Sequence, residues 1–342
     1  METVERPLRQ KVILAVLISG LVAFVLYFVL FINPAQVVDI VSKTNLTCYS
    51  SAFVAYSLCA VFSSLVWRNL LASLAVKISA RKTLLFTWVG LFFDATVPQL
   101  GWSSEVSRTY LLTKDSSFDA GKIGASVVSQ KIFNMTITVI TMGLGLGLVL
   151  ISHPLPFIVT FLFSLVLCLS ILTLALVYYI SIKPSATKTL LNWTIGIVSF
   201  FRKAWNPESF RLKADALLNR FHVGIQQLKA NPEALVKPII YSVTSFVFEI
   251  SVTFITFIAL GYPVPVDKVL IVFTLTGTLQ TVGVTFFGFP ELIMSVSFTA
   301  LGIPAALSVS VTLLVRVVSL WFRLVVSYAA LQWAGIKILR SR

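Results

Sequence analysis

The chain has 342 residues, of which 57% are hydrophobic and only 12% charged. Soluble domains carry about 25% charged residues, so this composition, with a mean hydropathy of +0.93, excludes a soluble globular protein and points to a polytopic membrane protein. The net charge of +14 comes from 27 Lys and Arg against 13 Asp and Glu, an excess that in a membrane protein reports loop orientation rather than nucleic-acid binding.

The elements follow in chain order. Val12–Ile32 is a run of 21 residues without a charge, behind Arg6, Arg9 and Lys11. It is too long for a signal-peptide core and reads as a retained span. A loop with Asp39 and Lys43 leads to a second span over Leu46–Trp67, then a basic connector with Arg68, Lys77, Arg81 and Lys82. Leu84–Val97 is apolar but only 14 residues long, too short for a hydrocarbon core of about 30 Å. It holds Asp94 and runs into Pro98 and Gly101, after which Trp102–Leu112 forms a second short helix. Together these two predict a re-entrant hairpin that enters and leaves on one side. Ile123–Ile151 is a long span interrupted by Lys131, with Gly143, Gly145 and Gly147 suited to close helix packing.

The second half opens with a His153–Pro156 turn and a span over Phe157–Ile182. Residues 183–237 form a basic, amphipathic, cytoplasmic insert with nine Lys and Arg. Leu190–Phe201 is expected to lie in the interface, and a helix after Pro207 lines up Phe210, Ala214, Leu217, Phe221, Ile225 and Leu228 on one face until Asn231-Pro232. Ile239–Leu260 spans again, with Glu249 inside. Val269–Phe287 then breaks at Gly283–Pro290, plants Glu291, and continues as the short helix Glu291–Leu301. Gly302-Ile-Pro304 turns the chain into the last span, Ala305–Trp333, which carries Arg316 and Arg323. Trp67, Trp102, Trp193, Trp205 and Trp333 fall near predicted interfaces, as aromatic belts do.

Lys and Arg positions fix an orientation. With the N-terminus inside and neither broken stretch crossing, 21 Lys and Arg fall inside and only Lys43 and Lys268 outside, a strong positive-inside bias. The remaining four, Arg108, Lys131, Arg316 and Arg323, lie at membrane depth. The predicted fold is therefore all-α: six full spans plus two re-entrant helical hairpins of opposite orientation, an inverted-topology repeat of residues 1–152 and 153–342. Both termini are expected on the cytoplasmic side of the plasma (inner) membrane. Such repeats place a site at the midplane between them.

Charges at that depth are costly and need partners or water. Glu105 and Arg108 are spaced i,i+3, either as a structural pair or as headgroup contacts. Glu105 and Lys131 are 26 positions apart and Glu291 and Arg316 are 25 apart, so the latter two demand tertiary pairing. Arg316 suits a phosphate through its planar fork. Arg323, seven residues on, is expected on the same helix face, about 10 Å further along, either as a second anion step or snorkelling to the interface. Glu105, Arg108, Lys131, Glu291, Arg316 and Arg323 are the candidate substrate-binding set. Asp94 and Glu249 are candidate counter-ions or proton sites. Cys48, Cys59 and Cys168 form no CxxC, and the two histidines are far apart, so neither a metal nor a cofactor is expected.

The second-half run Gly288-Phe-Pro-Glu291, Leu301-Gly-Ile-Pro304-Ala-Ala-Leu307 and Leu313-Leu-Val-Arg316, with Pro98, Gly101, Glu105 and Arg108 in the first half, resembles the flippase-like membrane region of lysylphosphatidylglycerol synthases and its stand-alone UPF0104 relatives. This chain departs from the family pattern at Gln130-Lys131, where a Glu-Arg pair is usual, and at Phe289-Pro290, where relatives often carry glycines. The resemblance implies movement of a polar-headed lipid between leaflets, without the soluble aminoacyl-transferase domain of the bifunctional members. The expected partner is a membrane lipid with an anionic or zwitterionic headgroup, with no nucleic acid; a homo-oligomer stays open. The chain is expected not to be an enzyme. The alternatives are a membrane-embedded transferase acting on a lipid carrier, with carboxylates as bases, and a non-catalytic assembly subunit.

Overall fold

A computed structural model describes residues 22, 25–27, 30, 33–96, 102–115, 118–152, 156–201, 207–281 and 288–340. Every element among the described residues is helical: α1 (Pro34–Ser42), α2 (Leu46–Ser73), α3 (Ala80–Thr96), α4 (Ser103–Asp115), α5 (Ala120–Ser152), α6 (Phe157–Ile182), α7 (Pro184–Phe201), α8 (Glu208–Ala230), α9 (Glu233–Ala259), α10 (Val266–Thr281), α11 (Phe289–Ala300), α12 (Ala305–Arg316), a π-helical segment (Val317–Phe322) and α13 (Arg323–Arg340). Among the described residues, five helices are long and apolar enough to cross a membrane: α2, α5, α6, α9 and the continuous helix Ala305–Gly335. The expected span over Val12–Ile32 and the breaks around Pro98 and Gly283 lie mostly outside the described residues.

Helix starts follow local chemistry. Asn33 accepts from the Ala35 N–H at 3.0 Å and Asn45 from the Cys48 N–H at 3.0 Å, as side-chain caps do. The first of these corrects the sequence reading of residues 33–45 as loop. Asn33-Pro34 starts a helix, and an Asp39–Lys43 pair at i,i+4 supports it. At the end of α11 the chain reverses through Gly302 at φ +83°, a left-handed position that glycine occupies at no steric cost.

Among the described residues the helices build two main apolar cores, one towards each end of α2, and a small third one where Val37 of α1 meets Val309 of α12. The larger joins Tyr49–Ala60 of α2 to Met142–Val149 of α5, α9, α10, α11 and α12. The smaller joins Val66–Leu74 to the start of α3 and α5, Leu112 of α4 and Leu228 of α8. Helices α2 and α9 pack along each other. The first arm of each short pair packs on the closing helix of the other half, α3 on α13 and α10 on α5, while the second arms lie on α5 and α12. Gly145 allows one of these contacts: a Cβ there would sit 2.9 Å from the Ile271 backbone nitrogen, whereas Gly143 and Gly147 face open space. Only one glycine of that run therefore serves helix packing.

The basic insert is two helices. Gly121 and Gly224 let α8 cross the start of α5, where added Cβ atoms would meet the Phe221 nitrogen at 2.8 Å and the Ala125 Cβ at 2.8 Å. Phe221, Ile225 and Leu228 of the predicted apolar face join the smaller core, but Phe210 and Leu217 stay exposed. His222 is buried, 2.6 Å from Thr187 Oγ1 on α7. Burial holds its pKa below the usual imidazole value, against an opposing backbone hydrogen bond at Ser181. The rest of α7 leaves Leu190, Trp193 and Ile197 exposed, and α6 exposes most of its apolar side chains.

Candidate functional site

Between the two cores lies a cavity of about 310 Å³, within the size range of small-ligand sites. Its walls come from α2 (Tyr56, Cys59, Ser63), α3 and α4, the middle of α5, α9, α10 and α13, with Ser170 and Thr173 of α6 at one side. Six charged groups face it: Asp94, Glu105, Arg108, Lys131, Glu249 and Arg323. Three are acidic and three basic, so the cavity is formally neutral, with its charges on α3, α4, α5, α9 and α13 and none on the α2, α6 and α10 walls.

The short pair α3–α4 delivers three of them. Gly90 brings the arms together, since a Cβ there would lie 2.5 Å from Ser104 Oγ and 3.1 Å from Arg108 Cγ. Asp94 closes the start of α4 by accepting from the Ser104 N–H at 3.0 Å. At the other end Lys82 pairs with Asp115. Glu105 sits in the first turn of α4, where a carboxylate is favoured by the helix dipole. Its Oε1 lies 3.4 Å from Lys131 Nζ and 4.0 Å from Arg108 Nη2, while its Oε2 is buried with no hydrogen-bond partner among the described residues.

Arg108 is only 4% exposed. Its Nη1 donates to Gln130 Oε1 at 2.9 Å, and the same amide donates from Nε2 to the Ser63 carbonyl at 2.9 Å. The guanidinium stacks 5.1 Å from the Trp67 ring, and its Nε lacks a partner among the described residues. Lys131 lies 5.4 Å from the Trp102 ring. One belt assignment, that of Trp67, is thereby corrected. Trp67 is completely buried and donates from Nε1 to Ser126 Oγ at 3.0 Å, and Trp102 faces a cation; each is an aromatic platform under a charge. Trp193 and Trp333 do remain exposed.

The second half makes the counterpart pair more tightly. Glu291, in the first turn of α11, takes Arg316 Nε on Oε1 at 2.6 Å and the Gly288 N–H on Oε2 at 2.8 Å. Both oxygens are used. Neither residue lines the cavity. Arg323 does, and shares its field with Glu249 and Tyr56; its Nε has no hydrogen-bond partner among the described residues. The sequence reading placed Arg316 and Arg323 on one helix face. The π-helical segment between them overturns it, because an i→i+5 turn rotates the helix less per residue than an α turn. Of the six candidate substrate-binding residues, the structure thus gathers Glu105, Arg108, Lys131 and Arg323 around one cavity, with both candidate counter-ions.

A family model, the lysylphosphatidylglycerol synthase TM region, matches residues 12–327. The chain belongs to this family. Similar members include UPF0104 membrane proteins of three archaea. That of Methanocaldococcus jannaschii is 24% identical over 316 residues, covering 90% of this chain and 91% of the relative. That of Pyrococcus horikoshii is 22% identical over 331 residues, 94% of this chain and 95% of the relative. That of Methanothermobacter thermautotrophicus is 22% identical over 330 residues with the same coverage. The chain is a multi-pass membrane protein of the lysylphosphatidylglycerol synthase TM family. Gln130 and Ser63 line the cavity and Trp67 lies under Arg108, three placements that pattern reading missed, since nothing in their spacing marks them. The departure at Gln130 was the available signal.

Proposed function

We propose that the protein moves a polar-headed phospholipid or lipid-linked precursor between membrane leaflets, its headgroup passing through the central cavity while its tails stay in lipid. One observation carries the reading: a charge-lined cavity inside a multi-pass membrane protein, with two buried arginine nitrogens (Arg108 Nε, Arg323 Nε) and one buried carboxylate oxygen (Glu105 Oε2) left without hydrogen-bond partners. Buried polar groups are normally paired, and charges at membrane depth mark substrate paths. Arg108, Lys131 and Arg323 would take an anionic group, and Glu105 a donor on the headgroup. The Glu291–Arg316 pair would act as a brace.

The reciprocal packing of α3 on α13 and α10 on α5 supports a pair of re-entrant hairpins in inverted repeats, alternately exposing the cavity. The insert helices α7 and α8, basic and partly apolar outside, would rest on an anionic cytoplasmic leaflet. Reconstitution tests the function. Labelled phospholipids and polyprenyl-linked sugars should exchange between leaflets only in liposomes with the protein, and Arg108→Gln or Arg323→Gln should abolish the exchange. Absence of exchange across the panel would refute the proposal, and chemical conversion of a lipid would point to an embedded transferase instead.

A further inference from the structure

The π-helical segment Val317–Phe322 has Arg316 at one edge and Arg323 at the other. Seven residues of unbroken α-helix return a side chain to nearly the same face. Here one arginine reaches Glu291 and the other lines the cavity. A π turn takes in one residue more than an α turn, and that surplus rotates everything beyond it by about 100°.

Such a turn leaves the carbonyl ladder out of step at its entry. There the Val317 N–H is shared between the carbonyls of Leu313 and Leu314. The Leu314 carbonyl also accepts from Tyr49 Oη at 2.7 Å, a contact that crosses from α2. Tyr49 is buried, so its hydroxyl has this bond in place of water. The same face of α2 follows the π segment to its far end. Phe53 meets Phe322 edge-on at 5.1 Å and Tyr56 meets it at 6.4 Å, with Trp88 of α3 at 6.5 Å. One stripe of α2, at i, i+4 and i+7, therefore grips both ends of the register change.

We infer that Tyr49 is a positioning residue: its hydroxyl holds the π register, and the π register sends Arg323 into the cavity while leaving Arg316 to Glu291. The functional meaning rests on the cavity being the headgroup site, but the register itself is testable without any transport assay.

The test uses the full-length protein with Cys48, Cys59 and Cys168 changed to Ala and Arg323→Cys as reporter. The readout is the rate of modification by a charged, water-soluble methanethiosulfonate. Tyr49→Phe should slow modification about two- to tenfold, as expected when one buried hydrogen bond no longer favours the register. Deleting Ser319 in the Tyr49→Phe protein removes the surplus residue. The α ladder then closes with both flanks in phase, and the rate should recover. A role of Tyr49 in packing alone would not be rescued by that deletion. An unchanged rate in Tyr49→Phe, or no recovery on deletion, overturns the inference. Where Tyr49→Phe is not monodisperse, Ser319 deletion with Tyr49 retained decides: the reporter should react at the original rate and Tyr49→Phe should become tolerated, and loss of reactivity overturns the inference. Failure of lipid exchange would bear on the function and leave this result intact.

Discussion

The Glu291–Arg316 pair offers a prediction that separates bracing from substrate binding. Arg316 Nε and Glu291 Oε1 are 2.6 Å apart, with side chains 13% and 9% exposed, and the second carboxylate oxygen takes the Gly288 N–H. Breaking a buried pair from one side leaves an uncompensated charge and costs about 3–5 kcal/mol. Glu291→Gln keeps an acceptor for Gly288, so its cost should fall at the low end, about 3 kcal/mol. Arg316→Gln leaves the carboxylate with one neutral donor and should cost at least as much. The double substitution removes both charges and should cost less than the sum, with a coupling of about 2–3 kcal/mol. Reversible unfolding of the purified protein in mixed micelles with increasing dodecyl sulfate, followed by circular dichroism, measures all three. Because neither residue lines the cavity, lipid exchange per folded molecule should persist in the double variant. Additive single effects, or a stable double variant that has lost exchange, would refute the bracing argument.

Trp67→Phe removes the bond to Ser126 and the best face under Arg108, and should lower stability by about 1–2 kcal/mol in the same unfolding titration. Gly145→Ala pushes a Cβ against the Ile271 backbone and should cost about 1–3 kcal/mol, while Gly143→Ala, facing open space, should be neutral or gain about 0.5–1 kcal/mol from helix propensity. His222 has a depressed pKa from burial, so the unfolded chain takes up its proton first, near pH 6.5. Stability from the neutral ring is complete above that value and falls as pH drops through the folded-state pKa. The unfolding midpoint should decline on acidification below about pH 6.5, and His222→Asn should flatten the decline.

Much of this architecture was legible because it is written in lengths and charges. The stretches read as short became α3, α4 and α11, the apolar run before the second break became α10, and the matched spacings from Glu105 to Lys131 and from Glu291 to Arg316 became two real contacts. What stayed hidden depends on tertiary partners. Val317–Phe322 is as compatible with an α-helix as any apolar run, and its π register is tied to a hydroxyl more than 260 positions earlier in the chain. Trp67 sits at a span end, where belts occur, but the folded chain slides Arg108 over its ring. The sequence reading has loop at the Asn33-Pro34 start of α1, although its capping chemistry is local.

The two carboxylates are equivalent in place and different in chemistry, and Gln130 supplies the reason. Each lies in the first turn of a short helix and faces a cation on a long one. Glu291 has a single cation and spends both oxygens on it and on Gly288. Glu105 shares one oxygen between Lys131 and Arg108 because residue 130 is an amide. Its oxygen accepts from Arg108 and its nitrogen donates to the Ser63 carbonyl. A carboxylate at 130 would lose the donor that Ser63 needs and would compete with Glu105 for Arg108. With an amide there, Arg108 is oriented without being neutralised, and Glu105 Oε2 stays buried without a hydrogen-bond partner among the described residues. The tighter pair suits bracing α11 against α12, and under the proposed function the looser one would exchange partners with a headgroup.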